Sequence, residues 1–271
     1  MVTTSRLALL TLVTAALGIA AYAGASRAST IIVSDGFSGT NGSDINGRTP
    51  DGANLPGSAW QVEQQNASGA SPMTIDTSAG NPAPAVNTNF NDGAGISIAS
   101  ANGYVEPADL TISASVEVNN SNSVGVGFYN SLPAQGSGAY NNFVGVQWNG
   151  DQHLFLENGS SNTDLGFFGS LSMTTFYTLS YSVNTATGSI SSLTFDGQSV
   201  ATPATTIFAG SATNLAGFYS TSSAVSDNGY IDNFNLSSPD NVAVPEPATL
   251  GLFALGAVGL LLVTRKRKVG T

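Results

Sequence analysis

Cysteine is absent from the 271 residues, and histidine occurs once, as His153. The chain therefore forms no disulfide and has neither a thiolate ligand for zinc nor a cysteine nucleophile, and sites that need two imidazoles are excluded. Residues 29–241 also lack lysine, and Arg48 is their only cation against 16 acidic residues. This segment, with a formal net charge of −15, repels phosphate backbones, so nucleic-acid binding is excluded.

The N-terminus has the pattern of a secretory signal peptide. Arg6 is followed by an apolar run over residues 7–21 and then by small residues as far as Ala28. A positive start, a short apolar run and small residues at cleavage spacing are typical of an export signal. We therefore predict a signal peptide over residues 1–28. An N-terminal membrane anchor is the alternative interpretation, and the small residues that follow the run disfavour it.

A second apolar segment lies near the C-terminus. Residues 248–264 carry no charge and are followed at once by a basic cluster. A helix of this length measures about 25 Å, which is short for a hydrocarbon core of about 30 Å. The basic cluster holds its own end in the cytoplasm. We predict a transmembrane helix over residues 248–264 with the acidic body on the opposite side of the membrane, and a buried core helix is the disfavoured alternative. The membrane-stop residues are Arg265, Lys266, Arg267 and Lys268.

The C-terminal segment, residues 242–271, joins a Val-Pro-Glu-Pro motif to the apolar run and the basic cluster. In this combination it resembles the PEP-CTERM sorting signal of Gram-negative bacteria that make exopolysaccharide. The resemblance rests on the motif at 244–250, on the helix rich in Gly and Leu, and on the basic tail at 265–268. It implies recognition by exosortase, a membrane protease that cuts near the motif. It also implies a membrane-anchored precursor that later reaches the cell surface or extracellular matrix. The sorting residues are Val244, Pro245, Glu246 and Pro247.

The body, residues 29–241, has the pattern of a single all-β domain. Short runs alternate apolar and polar residues, for example at 110–118 and at 123–129. Such period-two runs predict strands with one buried face. Asp-Gly and Asn-Gly pairs between the runs favour tight turns. The sequence therefore predicts a two-sheet antiparallel sandwich.

One hairpin allows a prediction of its register. A three-residue loop over residues 149–151 pairs Val146 with Leu154 and Val144 with Leu156, which keeps four aliphatic side chains on one face. The opposite face then combines aromatic and hydrogen-bonding side chains, the combination that a shallow saccharide groove needs. Alternatively, Phe143 and Phe155 simply cover the back of the sheet. The predicted ligand-binding residues are Tyr129, Phe143, Gln147, His153, Phe155 and Glu157.

Three segments of the body resemble concanavalin-like, LamG-like jelly-roll domains. They are residues 31–37, residues 46–51 ahead of Trp60, and residues 230–236. The resemblance implies a jelly-roll sandwich whose first and last strands pair, often with sugar binding and sometimes with calcium. If those strands pair, a calcium ion held by Asp35 and Asp232 would relieve the negative charge of the body.

The sequence gives no direct sign of catalysis. It contains no Gly-x-Ser-x-Gly turn for a serine nucleophile and no Glu-x-Asp-x-Glu segment of the laminarinase type. We therefore expect a non-catalytic protein that binds a neutral exopolysaccharide. Two alternatives stay open: a glycoside hydrolase whose carboxylate pair comes from different strands, and a purely structural matrix protein.

Overall fold

The structure is a computed structural model that describes part of the chain. Contacts divide the chain into two units, one of which is residues 30–239. The predicted signal peptide and the sorting segment at 242–271 lie outside the described residues. In the described part, no helix is long and apolar enough to cross a membrane. The described residues are 29–55, 58–63, 73–80, 83–88, 92–98, 108–119, 122–132, 142–159, 161–169, 171–202, 204, 206, 214–221 and 229–239.

The first sheet is antiparallel. Its strand order is β14-β13-β12-β7-β16-β1-β2, and β5 pairs with both β16 and β4. The strands of this sheet are β1 (Thr30–Asp35), β2 (Gly52–Ala53), β4 (Thr74–Asp76), β5 (Ala85–Asn87), β7 (Asp109–Glu117), β12 (Tyr177–Asn184), β13 (Ile190–Phe195), β14 (Gln198–Ser199) and β16 (Tyr230–Ser238).

The second sheet is also antiparallel, with the order β11-β10-β9-β8-β15-β6-β3. The predicted all-β, two-sheet antiparallel sandwich is confirmed. The strands of this sheet are β3 (Trp60–Glu63), β6 (Gly93–Ser97), β8 (Ser123–Tyr129), β9 (Phe143–Asn149), β10 (His153–Asn158), β11 (Ser161–Phe167) and β15 (Leu215–Thr221).

The main core collects apolar side chains from both sheets. In β7 every second residue from Leu110 to Val116 is fully buried, as its alternating sequence predicts. The Tyr181 hydroxyl on β12 donates a hydrogen bond of 2.9 Å to the Val126 carbonyl on β8, which links the two sheets. Apolar burial on this scale is the main stabilising contribution to such a fold.

The first and last strands of the body pair side by side. In the antiparallel ladder between β1 and β16, Thr30 lies opposite Ser238 and Asp35 opposite Phe234. The segment after β1 is held by Arg48, whose guanidinium forms an ion pair with buried Asp35 and another with Asp51. Residues 44–48 form a turn, since the Asn46 N–H donates to the Asp44 carboxylate and Gly47 has a φ of 77°.

The predicted register of the β9–β10 hairpin is wrong, although its faces are correct. Val146 pairs with Leu156, not with Leu154, because the loop is Gly150-Asp151-Gln152. Gln152 has a φ of 64°, so the turn places its left-handed residue after the Asn-Gly pair rather than within it. The shift covers two residues, which preserves the alternation. The four aliphatic side chains of the prediction therefore still pack on the main core.

Candidate functional site

The second sheet has an outer face, which we define as the face turned away from the main core. On β8, Val124, Val126 and Phe128 belong to the main core, and alternation sends Tyr129 to the outer face. All six residues predicted to bind a ligand share this outer face. They are Tyr129, Phe143, Gln147, His153, Phe155 and Glu157.

Four of these six side chains are buried, which corrects the expectation that the face is exposed. Tyr129 and Phe143 form a second apolar cluster with Leu215 and Tyr219, here called the outer-face cluster. The Phe143 ring centroid lies 5.2 Å from that of Tyr129 and 4.4 Å from that of Tyr219. Neither Tyr129 nor Phe143 has exposed surface. The interpretation that these rings cover the sheet therefore holds for the outer-face cluster.

Glycines on adjacent strands create the space for these rings. Gly95, Gly217, Gly127 and Gly145 lie directly opposite one another across β6, β15, β8 and β9. A Cβ atom on Gly127 would lie 2.7 Å from the Gly145 Cα and 2.8 Å from the tip of the Phe143 ring. The strands approach too closely here for any side chain larger than hydrogen.

A buried polar group borders the outer-face cluster. The Tyr219 hydroxyl donates a hydrogen bond to the Gln147 side-chain oxygen. Glu157 lies at the end of the glycine row, directly opposite Gly145, and only 7% of it is exposed. Burial raises the pKa of Glu157 to about 7, and a hydrogen bond with Asn162 acts in the opposite direction. Burial, followed by the charge of Glu157, raises the pKa of Tyr219 well above its usual value.

The other two predicted residues form part of an accessible group of rings. His153, Phe155 and Phe167 make up what we call the ring platform, on β10 and the edge strand β11. The His153 ring lies 5.8 Å from Phe155 in a stacked arrangement and 5.0 Å from Phe167. Phe167 is 65% exposed. The ring platform is therefore the part of the outer face that a ligand can reach.

Asp164 gives the ring platform a charged neighbour. It pairs with Phe155 across β10 and β11, so both side chains lie on the outer face. The Asp164 carboxylate lies 2.9 Å from the His153 Nδ1 atom and accepts a 2.9 Å hydrogen bond from the Gly166 N–H. The hydrogen bond with His153 is the main reason why the pKa of Asp164 is lowered. An exposed carboxylate thus lies beside accessible ring faces.

The two residues predicted for calcium lie on paired strands but have other partners. Asp35 accepts hydrogen bonds from the Phe37 N–H and the Trp60 indole and is ion-paired with Arg48. Burial raises the pKa of Asp35, while the Trp60 hydrogen bond and the Arg48 charge act in the opposite direction. Asp232 accepts from the backbone and side-chain amides of Asn233. Because Arg48 already neutralises Asp35, these residues do not fit a calcium site.

Elsewhere in the described ranges, no group of three or more histidine and acidic side chains is placed to hold a metal ion.

Sequence reasoning missed Tyr219, Asp164 and Phe167. The apolar run at residues 214–219 predicts a strand that ends at Tyr219. Nothing in one sequence shows that Gly125 lies opposite this tyrosine and leaves room for its ring. Strand β11 lacks an alternating apolar pattern and is almost wholly exposed. The turn signal at Asn158-Gly159 was available, and a turn after β10 indicates a further strand.

A scan against protein-family models identifies the C-terminal segment. The chain carries a PEP-CTERM protein-sorting motif at residues 243–268. This motif indicates an exported protein, and proteins that carry it are substrates of exosortase. The match covers the sorting segment and leaves the body unassigned. No curated protein matches the chain.

Solved structures give distant likenesses only. Domain 4 of AbnA, a GH43 extracellular arabinanase from Geobacillus stearothermophilus solved with arabinotriose, is 14% identical with a TM-score of 0.46, over 78% of this chain and 93% of that one. The receptor-binding domain of a botulinum neurotoxin mosaic serotype C/D is 10% identical with a TM-score of 0.45, over 78% and 48%. Trypanosoma rangeli sialidase is 15% identical with a TM-score of 0.39, over 72% and 33%. These scores and identities are too low to indicate a shared activity.

Proposed function

We propose that the protein is exported, processed by exosortase and displayed at the surface or in the extracellular matrix of a Gram-negative bacterium, where its body binds polysaccharide without catalysis. In this proposal residues 1–28 are a signal peptide and residues 248–264 anchor the precursor in the membrane. The body is a jelly roll of the concanavalin-like or LamG-like type. The sorting motif at 243–268 supports the route.

The ring platform carries the proposal of polysaccharide binding. Sugars present an apolar face that stacks on rings and hydroxyls that donate to carboxylates and amides, and ligand sites combine apolar surface with a few polar groups. Phe155 and Phe167 supply ring faces, and Asp164 supplies acceptors within the same patch. The strong exposure of Phe167 argues against a purely structural role, for which no ring on this face would need to meet solvent.

A glycan array probed with the protein, with and without calcium, tests the proposal. We expect binding to polysaccharide fragments that Phe155→Ala weakens without unfolding the domain. The matched control is Val146→Ala on the core side of the same hairpin, which should reduce stability by about 1 to 3 kcal/mol through a cavity and leave binding to the folded fraction intact. If Phe155→Ala unfolds the domain and binding persists in the folded remainder, the site is wrong.

The sorting step has its own test. Glu246→Ala, or deletion of residues 265–268, should leave uncut precursor in the membrane fraction of cells with an active exosortase. Mature protein released at the normal rate from both variants would contradict the proposed route.

One observation favours a second candidate function, glycoside hydrolysis. Glu157 and Asp164 occupy diagonal positions on β10 and β11 of the outer face, a relation that separates residues by about 7 to 8 Å. Carboxyl pairs of glycosidases lie about 5 to 10 Å apart. The pKa of Glu157 is raised and the pKa of Asp164 is lowered, which are the directions that a general acid and an ionised partner require.

Reducing-end release from bound polysaccharide distinguishes the two functions. A hydrolase would produce new reducing ends that disappear in Glu157→Gln, while a binding protein produces none at any pH.

A further inference from the structure

The electrostatic setting of the ring platform restricts its ligand further, and this step rests on the proposed function. Arg48 is the only cation in residues 29–241, and it is committed to ion pairs with Asp35 and Asp51. Apart from His153, which already contacts one oxygen of Asp164, the body therefore offers no basic side chain that could pair with this carboxylate. A surface with one sign of charge raises the local concentration of oppositely charged ligands.

Asp164 keeps acceptor capacity for a ligand. Half of its side chain is exposed. Each of its oxygens accepts one hydrogen bond, from His153 on one side and from the Gly166 N–H on the other. An ionised carboxylate has about four acceptor positions, so two remain for a donor from solvent. An ammonium donor adds direct charge–charge attraction to its hydrogen bond with the carboxylate, which a neutral hydroxyl donor does not.

The adjacent rings favour the same kind of donor. A cation within about 6 Å of an aromatic ring is attracted by the negative face of that ring. Phe167 is the most exposed large apolar side chain of the described body, and it is the direct cross-strand neighbour of His153, which contacts Asp164. Aromatic rings beside an exposed carboxylate can therefore bind a ligand that carries an ammonium group on an otherwise apolar ring face.

We propose that the ring platform and Asp164 bind the ammonium groups of an amino-sugar polysaccharide, so that the preferred ligand carries free amines and is not neutral. The sugar ring stacks on Phe155 or Phe167, and its ammonium group donates to the Asp164 carboxylate. This assignment replaces the expectation of a neutral exopolysaccharide with a cationic ligand, and it follows from charge complementarity at an exposed patch.

A matched pair of oligosaccharides tests the proposal. Titration calorimetry on the full chain compares the hexamer of glucosamine with the hexamer of N-acetylglucosamine, which differ only in their amines. We expect the glucosamine hexamer to bind at least tenfold more tightly at low ionic strength. That preference should shrink at 0.5 M salt, where the screening length falls to about 4 Å.

Two isosteric variants separate a local site from diffuse charge. Asp164→Asn should abolish the preference while the acetylated hexamer binds within about twofold of wild type. Asp196→Asn is the control, because Asp196 is an exposed carboxylate at the β13–β14 turn of the other sheet, and asparagine tolerates its φ of 50°. This variant removes the same charge and should keep the preference.

The outcomes distinguish failure of the ammonium site from failure of polysaccharide binding. Equal affinity for both hexamers overturns the ammonium site and leaves polysaccharide binding in place. A preference that both variants reduce equally also overturns it, since the attraction is then diffuse. If neither hexamer binds to the wild-type protein, the proposed function itself fails.

Discussion

The outer-face cluster and the ring platform lie on one face of one sheet, yet their rings have opposite environments. Phe143 in the outer-face cluster is fully buried, whereas Phe167 in the ring platform is 65% exposed. Phe143 lies over Gly127 and Gly145, whose missing side chains let it settle against the backbone. Phe167 stands on an edge strand with a single neighbouring strand. Exposure of a ring on a sheet thus depends on its neighbours across the strands more than on its own alternation.

The comparison separates stability from recognition. Rings that fill a glycine row extend the core, because they remove apolar surface from water on both sides. Rings at the sheet edge retain a free face, which leaves them accessible for the proposed contact with a ligand. The following predictions test that division, from the largest expected effect to the smallest.

Gly127→Val should break the outer-face cluster. Its Cβ would meet the backbone of β9 and the Phe143 ring, and the strands cannot separate without losing ladder hydrogen bonds. We expect a loss of about 4 kcal/mol or more in the free energy of unfolding, measured by denaturant titration. Gly36→Ala is the control, since its Cβ would meet only the Asp51 carboxylate at 3.8 Å. Comparable stability of both variants would refute the role of the glycine row.

Phe143→Ala should cost about 3 to 4 kcal/mol, because it removes a fully buried ring and leaves a cavity between Tyr129 and Tyr219. Thermal unfolding followed by circular dichroism measures the effect. Leucine at the same position fills part of the cavity and should recover some of the loss. A variant as stable as wild type would show that the outer-face cluster contributes nothing to the fold.

Glu157→Gln should stabilise the body at high pH only. Because burial raises the pKa of Glu157 to about 7, the folded carboxyl binds its proton more tightly than the unfolded one. The wild-type free energy of unfolding therefore falls as the pH rises from about 4.5 to 7. We expect the variant to exceed wild type by about 3 kcal/mol at pH 8, and to match it near pH 4. A difference independent of pH would contradict the assignment.

Phe167→Ala should change stability least, by no more than about 0.5 kcal/mol, because most of the ring already meets solvent. The same variant should lose saccharide binding if the ring platform is the site. A large drop in the unfolding midpoint would instead place Phe167 in the core.

The sequence predicts strands well where one face is buried. β7 alternates buried and partly exposed residues as predicted. The predicted bounds of β8, Ser123–Tyr129, also match the structure, although this strand is buried on both faces. Strand β11 is not predicted, because its first four residues are exposed on both faces and its sequence carries no apolar rhythm. The alternation of apolar and polar residues reflects burial of one strand face, so an exposed strand can be predicted only from the turn that precedes it.

The candidate site is predictable in its face but not in its burial. Alternation places Phe143 and Phe155 on the same side of the sheet, and a register error of two residues leaves that unchanged. Whether a ring is covered depends on glycines of neighbouring strands, such as Gly127 beneath Phe143, and on rings that pack beside it from other strands, such as Tyr219. The left-handed conformation of Gln152 sets the hairpin register. Glutamine seldom adopts this conformation, so the sequence does not predict it.

The position of β16 has a mechanical consequence for an exported body. This strand is bonded to β7 on one side and to β1 on the other, and the sorting segment follows it in the chain. Interstrand hydrogen bonds run perpendicular to antiparallel strands, so tension along β16 loads both ladders in shear at once instead of opening them one bond at a time. A pulling force on the C-terminal end of the body therefore acts on a strand that is hydrogen-bonded along both edges. The sheet that carries the ring platform does not contain this strand.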